Sequence, residues 1–145
     1  MSKSLKIAIV ASRFNDLLVE KLIQSSIDTL KENNWLEESI DIFRVSGAFE
    51  LPLMAKKVGE SSKYGGIIAL GAVIRGATPH FDYICAETTA GLSRVSIDLG
   101  LPIGFGVLTC DTMNQAIERS GDGSGNKGVE ATLATLDMIK TIESL

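Results

Sequence analysis

The chain holds one histidine, His80, and its neighbours decide what an imidazole there can do. The segment reads Gly71-Ala72-Val73-Ile74-Arg75-Gly76-Ala77-Thr78-Pro79-His80. Gly76 and Ala77 leave backbone N–H groups open just ahead of a helix start, and Thr78 adds a hydroxyl. Unpaired N–H groups and the positive end of a helix dipole together make an anion site. His80 falls in the first turn of that helix, where an added positive charge is disfavoured and a neutral imidazole can accept a proton. The pattern suits acid–base chemistry beside a bound phosphate. A lone histidine at a helix start is equally the mark of an ordinary surface position.

Three other turns carry candidate groups. Phe14, in Ser12-Arg13-Phe14-Asn15, is either a lid on local core or a stacking platform for a planar ligand. Glu50, in Ser46-Gly47-Ala48-Phe49-Glu50-Leu51-Pro52, suits a helix start, where the dipole favours its charge. Alternatively its carboxylate, with exposed backbone at Ala48 and Phe49, grips hydroxyls. Arg119 and Lys127 flank the glycine-rich stretch from Ser120 to Gly128. That stretch is a flexible linker or a phosphate-friendly turn bracketed by cations. It is not a P-loop, because Gly128 follows the lysine and the spacer is absent.

The elements that must position these groups follow from periodicity. Leu5–Ala11, Ile40–Val45, Gly66–Val73 and Ile103–Thr109 are β-branched, nearly continuous apolar runs, the pattern of parallel strands covered on both faces. Val19, Ile23, Ile27 and Leu30 recur at helical spacing after the cap pair Asn15-Asp16. Shorter helices are expected over Leu51–Val58 and Thr112–Arg119. Another should start at Pro79 with Thr78 as its cap, and a last one should run through Val129, Leu133, Leu136 and Ile139 to near Ser144. Strands alternating with helices predict the α/β class: a three-layer sandwich around a four-stranded parallel sheet, flavodoxin-like in topology. Ligands bind such sheets beyond the carboxyl ends of the strands, which is where the candidate groups fall.

The composition fits this picture. A chain of 145 residues predicts one domain, 1–145, and 45% hydrophobic with 22% charged residues is ordinary for a globular fold. A net charge of −4 argues against nucleic acid as a partner. No run is long enough to span a membrane. Cys85 and Cys110 are too few for a disulfide scaffold or a zinc site, and are expected to be reduced, buried and cytosolic. None of the 14 glycines precedes Gly47, and several fall in the proposed binding segments. Gly59, Gly91 and Gly100 have no such account.

The motifs resemble those of the lumazine synthase family. The matching segments are Arg13-Phe14-Asn15, Gly47 through Pro52, Gly71 through Tyr83, Phe105 through Thr109, and Gln115 through Gly121 with Gly125 through Gly128. They keep the family's order across nearly the whole chain. The resemblance implies a transferase in the penultimate step of riboflavin biosynthesis. It would condense 5-amino-6-(D-ribitylamino)uracil with 3,4-dihydroxy-2-butanone 4-phosphate to 6,7-dimethyl-8-ribityllumazine, with no metal and no organic cofactor. By this resemblance Gly76, Ala77 and Thr78 bind the butanone phosphate, Arg119 closes on it, and His80 shuttles protons. Phe14 stacks on the pyrimidine. Ala48, Phe49 and Glu50 hold the ribityl chain. Ala72, Val73 and Ile74 belong to the ring pocket, and Lys127 completes the polar wall.

The resemblance also implies cytoplasmic homopentamers whose active sites lie between subunits, with Phe105 covering the heterocycle from a neighbour. It allows a sixty-subunit shell and an association with riboflavin synthase. Many relatives carry a longer leader that adds a strand to the next subunit's sheet, so the tightness of assembly stays open. The turn Gly121-Asp122-Gly123-Ser124-Gly125 has the length of shell-forming members but not their usual residues, so pentamer against shell stays open too. Two further readings compete. One is a flavodoxin-like electron carrier, which would need a phosphate loop after the first strand. The other is a shell protein without catalysis.

Overall fold

The computed structural model describes residues 5–122 and 125–145. Gly123 and Ser124, at the centre of the glycine-rich turn, lie outside the described residues. Parallel strands β1 (Lys6–Ser12), β2 (Ile40–Val45), β3 (Tyr64–Ile74) and β4 (Ile103–Cys110) form one sheet in the order β2-β1-β3-β4. Helices α1 (Asp16–Glu32), α2 (Leu51–Glu60), α3 (His80–Leu99), α4 (Met113–Ser120) and α5 (Lys127–Glu143) cover it. This is the expected three-layer α/β architecture.

Successive strand residues point to opposite faces, so the sheet builds two cores. Ile7, Ile9 and Ala11 with Ile68 and Leu70 meet Leu22 and Leu30 of α1, Ala116 of α4 and Ala131 of α5. Ala8 and Val10 with Ile67 and Ala69 meet Leu51 and Ala55 of α2 and Leu92 and Val95 of α3. Burial on both faces is why β1 and β3 read as continuous apolar runs.

β2 departs from that expectation. It is an edge strand, and Ile42 and Arg44 are exposed. Arg44 pairs with Glu20 of α1 instead of entering a core. Cys85 is only half-buried, whereas Cys110 is buried.

Two helix starts also differ. Thr78 does not cap α3. Pro79 takes the cap position, its carbonyl accepting from Asp82 N–H at 2.9 Å, and the first helical residue is His80. Asn15 occupies the cap position of α1, but in the left-handed region (φ 61°, ψ 48°) and without a capping side-chain bond. Its amide is used elsewhere, as described below.

The glycines without a sequence account are structural. A Cβ at Gly59 would stand 2.6 Å from Leu99 Cδ1, and one at Gly91 would stand 2.7 Å from Pro52 Cγ. Gly100 ends α3 in the left-handed conformation, φ 62°. Gly128 is a packing residue too: a Cβ there would meet the Leu22 carbonyl oxygen at 2.6 Å, so α5 could not lie so close to α1.

From β1 the chain moves to β2 on one side, then to β3 on the other. The carboxyl ends of β1 and β3 therefore flank a topological switch point, the usual crevice for ligands in such a sheet.

Candidate active site

A hollow of about 500 Å³ opens at this switch point. Each of its walls comes from one of the turns singled out by sequence. The turn after β1 supplies Phe14. The turn after β2 supplies Ala48, Phe49 and Glu50. The end of β3 supplies Ala72, Val73 and Ile74, and the turn beyond it supplies Gly76, Thr78 and His80. Phe81 and Ile84 of α3, which the sequence reading did not single out, close the apolar side.

Phe14 is no lid on local core, because its side is 71% exposed. Its backbone N–H donates to Ser46 O at 3.1 Å, and that of Arg13 donates to Val45 O at 2.7 Å. The β1–β2 ladder thus continues into the turn and takes up these two donors. The turn Ser12-Arg13-Phe14-Asn15 also carries no glycine, which argues against the phosphate loop that an electron carrier of this topology would need after its first strand.

Glu50 plays part of the structural role expected of it. Its Oε1 accepts from Gly47 N–H at 3.0 Å and closes the short 3₁₀ turn Ala48–Glu50. Oε2 has no hydrogen-bond donor among the described residues. Ala48 is buried against the α2–α3 core, and Phe49 is exposed.

The turn before α3 keeps open the backbone donors that an anion site requires. Gly76 through Pro79 are exposed, and the N–H groups of Gly76, Ala77 and Thr78 find no acceptor among the described residues. Thr78 Oγ1 accepts weakly from His80 N–H at 3.4 Å. Gly76 needs its hydrogen neither for a positive φ nor for packing: a Cβ there would meet nothing within 4 Å. Ala77 sits in the turn without lining the hollow.

Three sequence-selected residues are not brought here. Phe105, Arg119 and Lys127 line a second concavity of about 350 Å³, with Val107, Thr109, Cys110 and Gln115. Arg119 Nη1 donates to Gln115 O at 3.4 Å, and Lys127 Nζ pairs with Glu130 at 2.9 Å. Burial pushes the Cys110 thiol above its ordinary value, and Asp111 adds to this, while Arg119 and Lys127 pull the other way. Both cations therefore act on one spot at the β4 edge.

A third hollow, of about 630 Å³ and walled by Trp35, Leu136 and Ile139, lies at Gly65, the opposite end of the sheet. It contains none of the candidate groups. Among the described residues, no cluster of His, Cys, Asp or Glu is arranged to hold a metal, and no helix is long and apolar enough to cross a membrane.

Two residues without a site role in the sequence reading tie together the elements around the first hollow. Asn15 Nδ2 donates to Ala72 O at 3.1 Å. Arg75 Nε donates to Asp111 Oδ1 at 2.7 Å. Arg75 stood inside the most informative motif, but without a ligand role to draw notice.

Comparison with known proteins gives concordant results. Residues 4–143 match the family model described as 6,7-dimethyl-8-ribityllumazine synthase. A protein of that name from Nitratidesulfovibrio vulgaris is 51% identical over 99% of this chain and 92% of its own. Proteins of the same name from Desulfovibrio desulfuricans and Lawsonia intracellularis are 50% and 54% identical over the same shares.

Proposed function

Because the chain belongs to the 6,7-dimethyl-8-ribityllumazine synthase family, we propose that its two concavities are complementary halves of one active site, joined across a subunit boundary. The reaction is the transferase step of riboflavin biosynthesis that forms the product in the family's name. The 5-amino group of the ribitylamino-uracil attacks the butanone carbonyl, and water leaves to give an imine. Phosphate is then eliminated, and ring closure with loss of a second water yields the lumazine.

The observation that supports this reading is the row of three N–H groups without an acceptor among the described residues, at Gly76, Ala77 and Thr78, in the turn whose Gly76 and Thr78 line the hollow that holds Phe14 and His80. These donors and the α3 dipole seat the butanone phosphate. His80 takes and returns protons during imine formation and elimination. Phe14 stacks on the pyrimidine, and Ala72, Val73 and Ile74 line its edge. The backbone at Ala48 and Phe49, with Glu50 Oε2, binds the ribityl hydroxyls. Holding two reactants in register supplies most of the acceleration.

Phe105, Arg119 and Lys127 line a different concavity of their own chain, so they serve a neighbour's site: Phe105 over the heterocycle, Arg119 at the phosphate, Lys127 on the polar wall. A cytoplasmic homopentamer, free or as a shell of sixty subunits, supplies that geometry, and riboflavin synthase is a natural partner for the product. Mixing the two substrates with assembled protein should give the fluorescent lumazine. No product from an assembly of pentamer mass or larger would sink the proposal, and the same mass measurement separates pentamer from shell.

A further inference from the structure

Arg75 has no role in that scheme, yet it stands at the base of the turn that seats the phosphate. It is the first residue after β3, and its backbone N–H donates to Cys110 O at 2.9 Å. Its guanidinium makes three contacts. Nε donates to Asp111 Oδ1 at 2.7 Å, Nη1 pairs with Asp82 Oδ1 at 3.4 Å, and the guanidinium carbon lies 4.5 Å from the Phe81 ring centroid. Asp111 follows β4, whereas Phe81 and Asp82 belong to the first turn of α3.

The chain thus leaves β3 at Arg75, runs through Gly76–Pro79, and returns at Phe81 and Asp82, where the same side chain grips it again. His80 lies between Arg75 and the gripped residues, next to Phe81. The turn has little else to fix it: residues 76–80 are exposed, and its own hydrogen bond is the weak one at Thr78. A planar fork of donors can meet two carboxylates and lie over a ring at once, which a lysine ammonium cannot.

We propose that Arg75 is a positioning residue for the phosphate: by bridging Asp82 and Asp111 it sets the distance between the Gly76–Thr78 N–H groups and the His80 imidazole. This rests on the reading of that turn as the phosphate seat. Exposed ion pairs add little to stability, so the loss should appear in binding geometry and not in folding.

The test is steady-state kinetics on assembled protein with both substrates varied, together with competitive inhibition by inorganic phosphate. Arg75→Ala should raise the KM for the butanone phosphate, and the phosphate Ki, about tenfold or more. The KM for the pyrimidine should change by less than about twofold. Arg75→Lys should resemble Arg75→Ala, and Asp111→Asn should show a smaller shift of the same kind. Asp111→Asn also carries the test if Arg75→Ala fails to assemble. An unchanged phosphate KM and Ki, equal rises for both substrates, or full rescue by lysine would overturn the role of Arg75. Absence of lumazine from the unaltered protein would instead overturn the reading of the turn itself.

Discussion

The side-chain amide of Asn15 donates to the carbonyl oxygen of Ala72 at 3.1 Å, across 57 residues of sequence. One bond therefore ties the turn after β1, which presents Phe14, to the end of β3, which lines the same hollow. To make it, Asn15 adopts φ 61°, a region open to asparagine and glycine but costly for other residues. Asn15→Gly keeps the conformation and loses the bond, which predicts a loss of about 1 kcal/mol. Asn15→Ala loses both, which predicts about 2–3 kcal/mol. Both should raise the KM for the pyrimidine more than for the butanone phosphate, because Phe14 is the group left loose. Urea unfolding and two-substrate kinetics check this; equal stability of the two variants would show that the backbone conformation is not strained.

Gly76 separates folding from binding more cleanly. A Cβ there has free space on every side and no positive φ to relieve. Gly76→Ala should therefore change stability by less than about 0.5 kcal/mol. Gly76 lines the hollow, and on the proposed function an added methyl there should raise the KM for the butanone phosphate severalfold. A destabilised variant, or one with an unaltered KM, would contradict this placement.

The fold was largely legible in the sequence because β1 and β3 are buried on both faces and announce themselves as apolar runs. β2 keeps its predicted bounds, Ile40–Val45, but its exposure depends on sheet order, which no local pattern encodes. The same limit applies to the site. Phe14, Glu50, Gly76 and His80 could be grouped because each follows a strand that ends at one crevice. That Phe105, Arg119 and Lys127 face a different concavity follows only from where β4, α4 and α5 lie in three dimensions. Asn15 was readable as a helix start, yet its reach to Ala72 depends on β1 and β3 being neighbours. The role of Gly128 in letting α5 approach α1 was likewise hidden in a stretch that looked like a ligand loop.

A divided site makes a prediction that a self-contained one does not. On the proposed function, His80→Ala should slow turnover by about 100-fold or more without abolishing it, since positioning survives the loss of the imidazole. Arg119→Ala should act mainly through the KM of the butanone phosphate. The two residues belong to different concavities of one chain. If the variants are dissociated, mixed in equal amounts and reassembled, about one quarter of shared sites would combine two unaltered halves. The mixture should then be well above the mean of the two variants at limiting butanone phosphate. Activity equal to that mean would place both residues in one chain's own site.

Stability should depend on pH through a contact far from the chemistry. Tyr64 Oη of β3 donates to Asp41 Oδ2 of β2 at 2.6 Å, with Lys6 of β1 at 3.4 Å from the same oxygen. The Tyr64 hydrogen bond holds the Asp41 carboxyl below its ordinary value; desolvation opposes this, and Lys6 and Lys63 reinforce it. Burial, then the Asp41 carboxylate, pushes Tyr64 up to about 12. The signs differ for the two groups. A depressed carboxyl stabilises the fold above its unfolded value of 3.8, and that contribution is lost as pH falls through the folded value. A raised phenol stabilises it below 10, and that contribution is lost as pH rises from 10 towards about 12. Tyr64→Phe keeps the edge-on packing against Phe43, at a centroid distance of 6.0 Å, and removes only the hydroxyl. The difference in urea midpoint between the unaltered protein and Tyr64→Phe should be steady between these windows and shrink in both. A difference that stays constant through the alkaline window would show that the hydroxyl does not hold Asp41 in the folded protein.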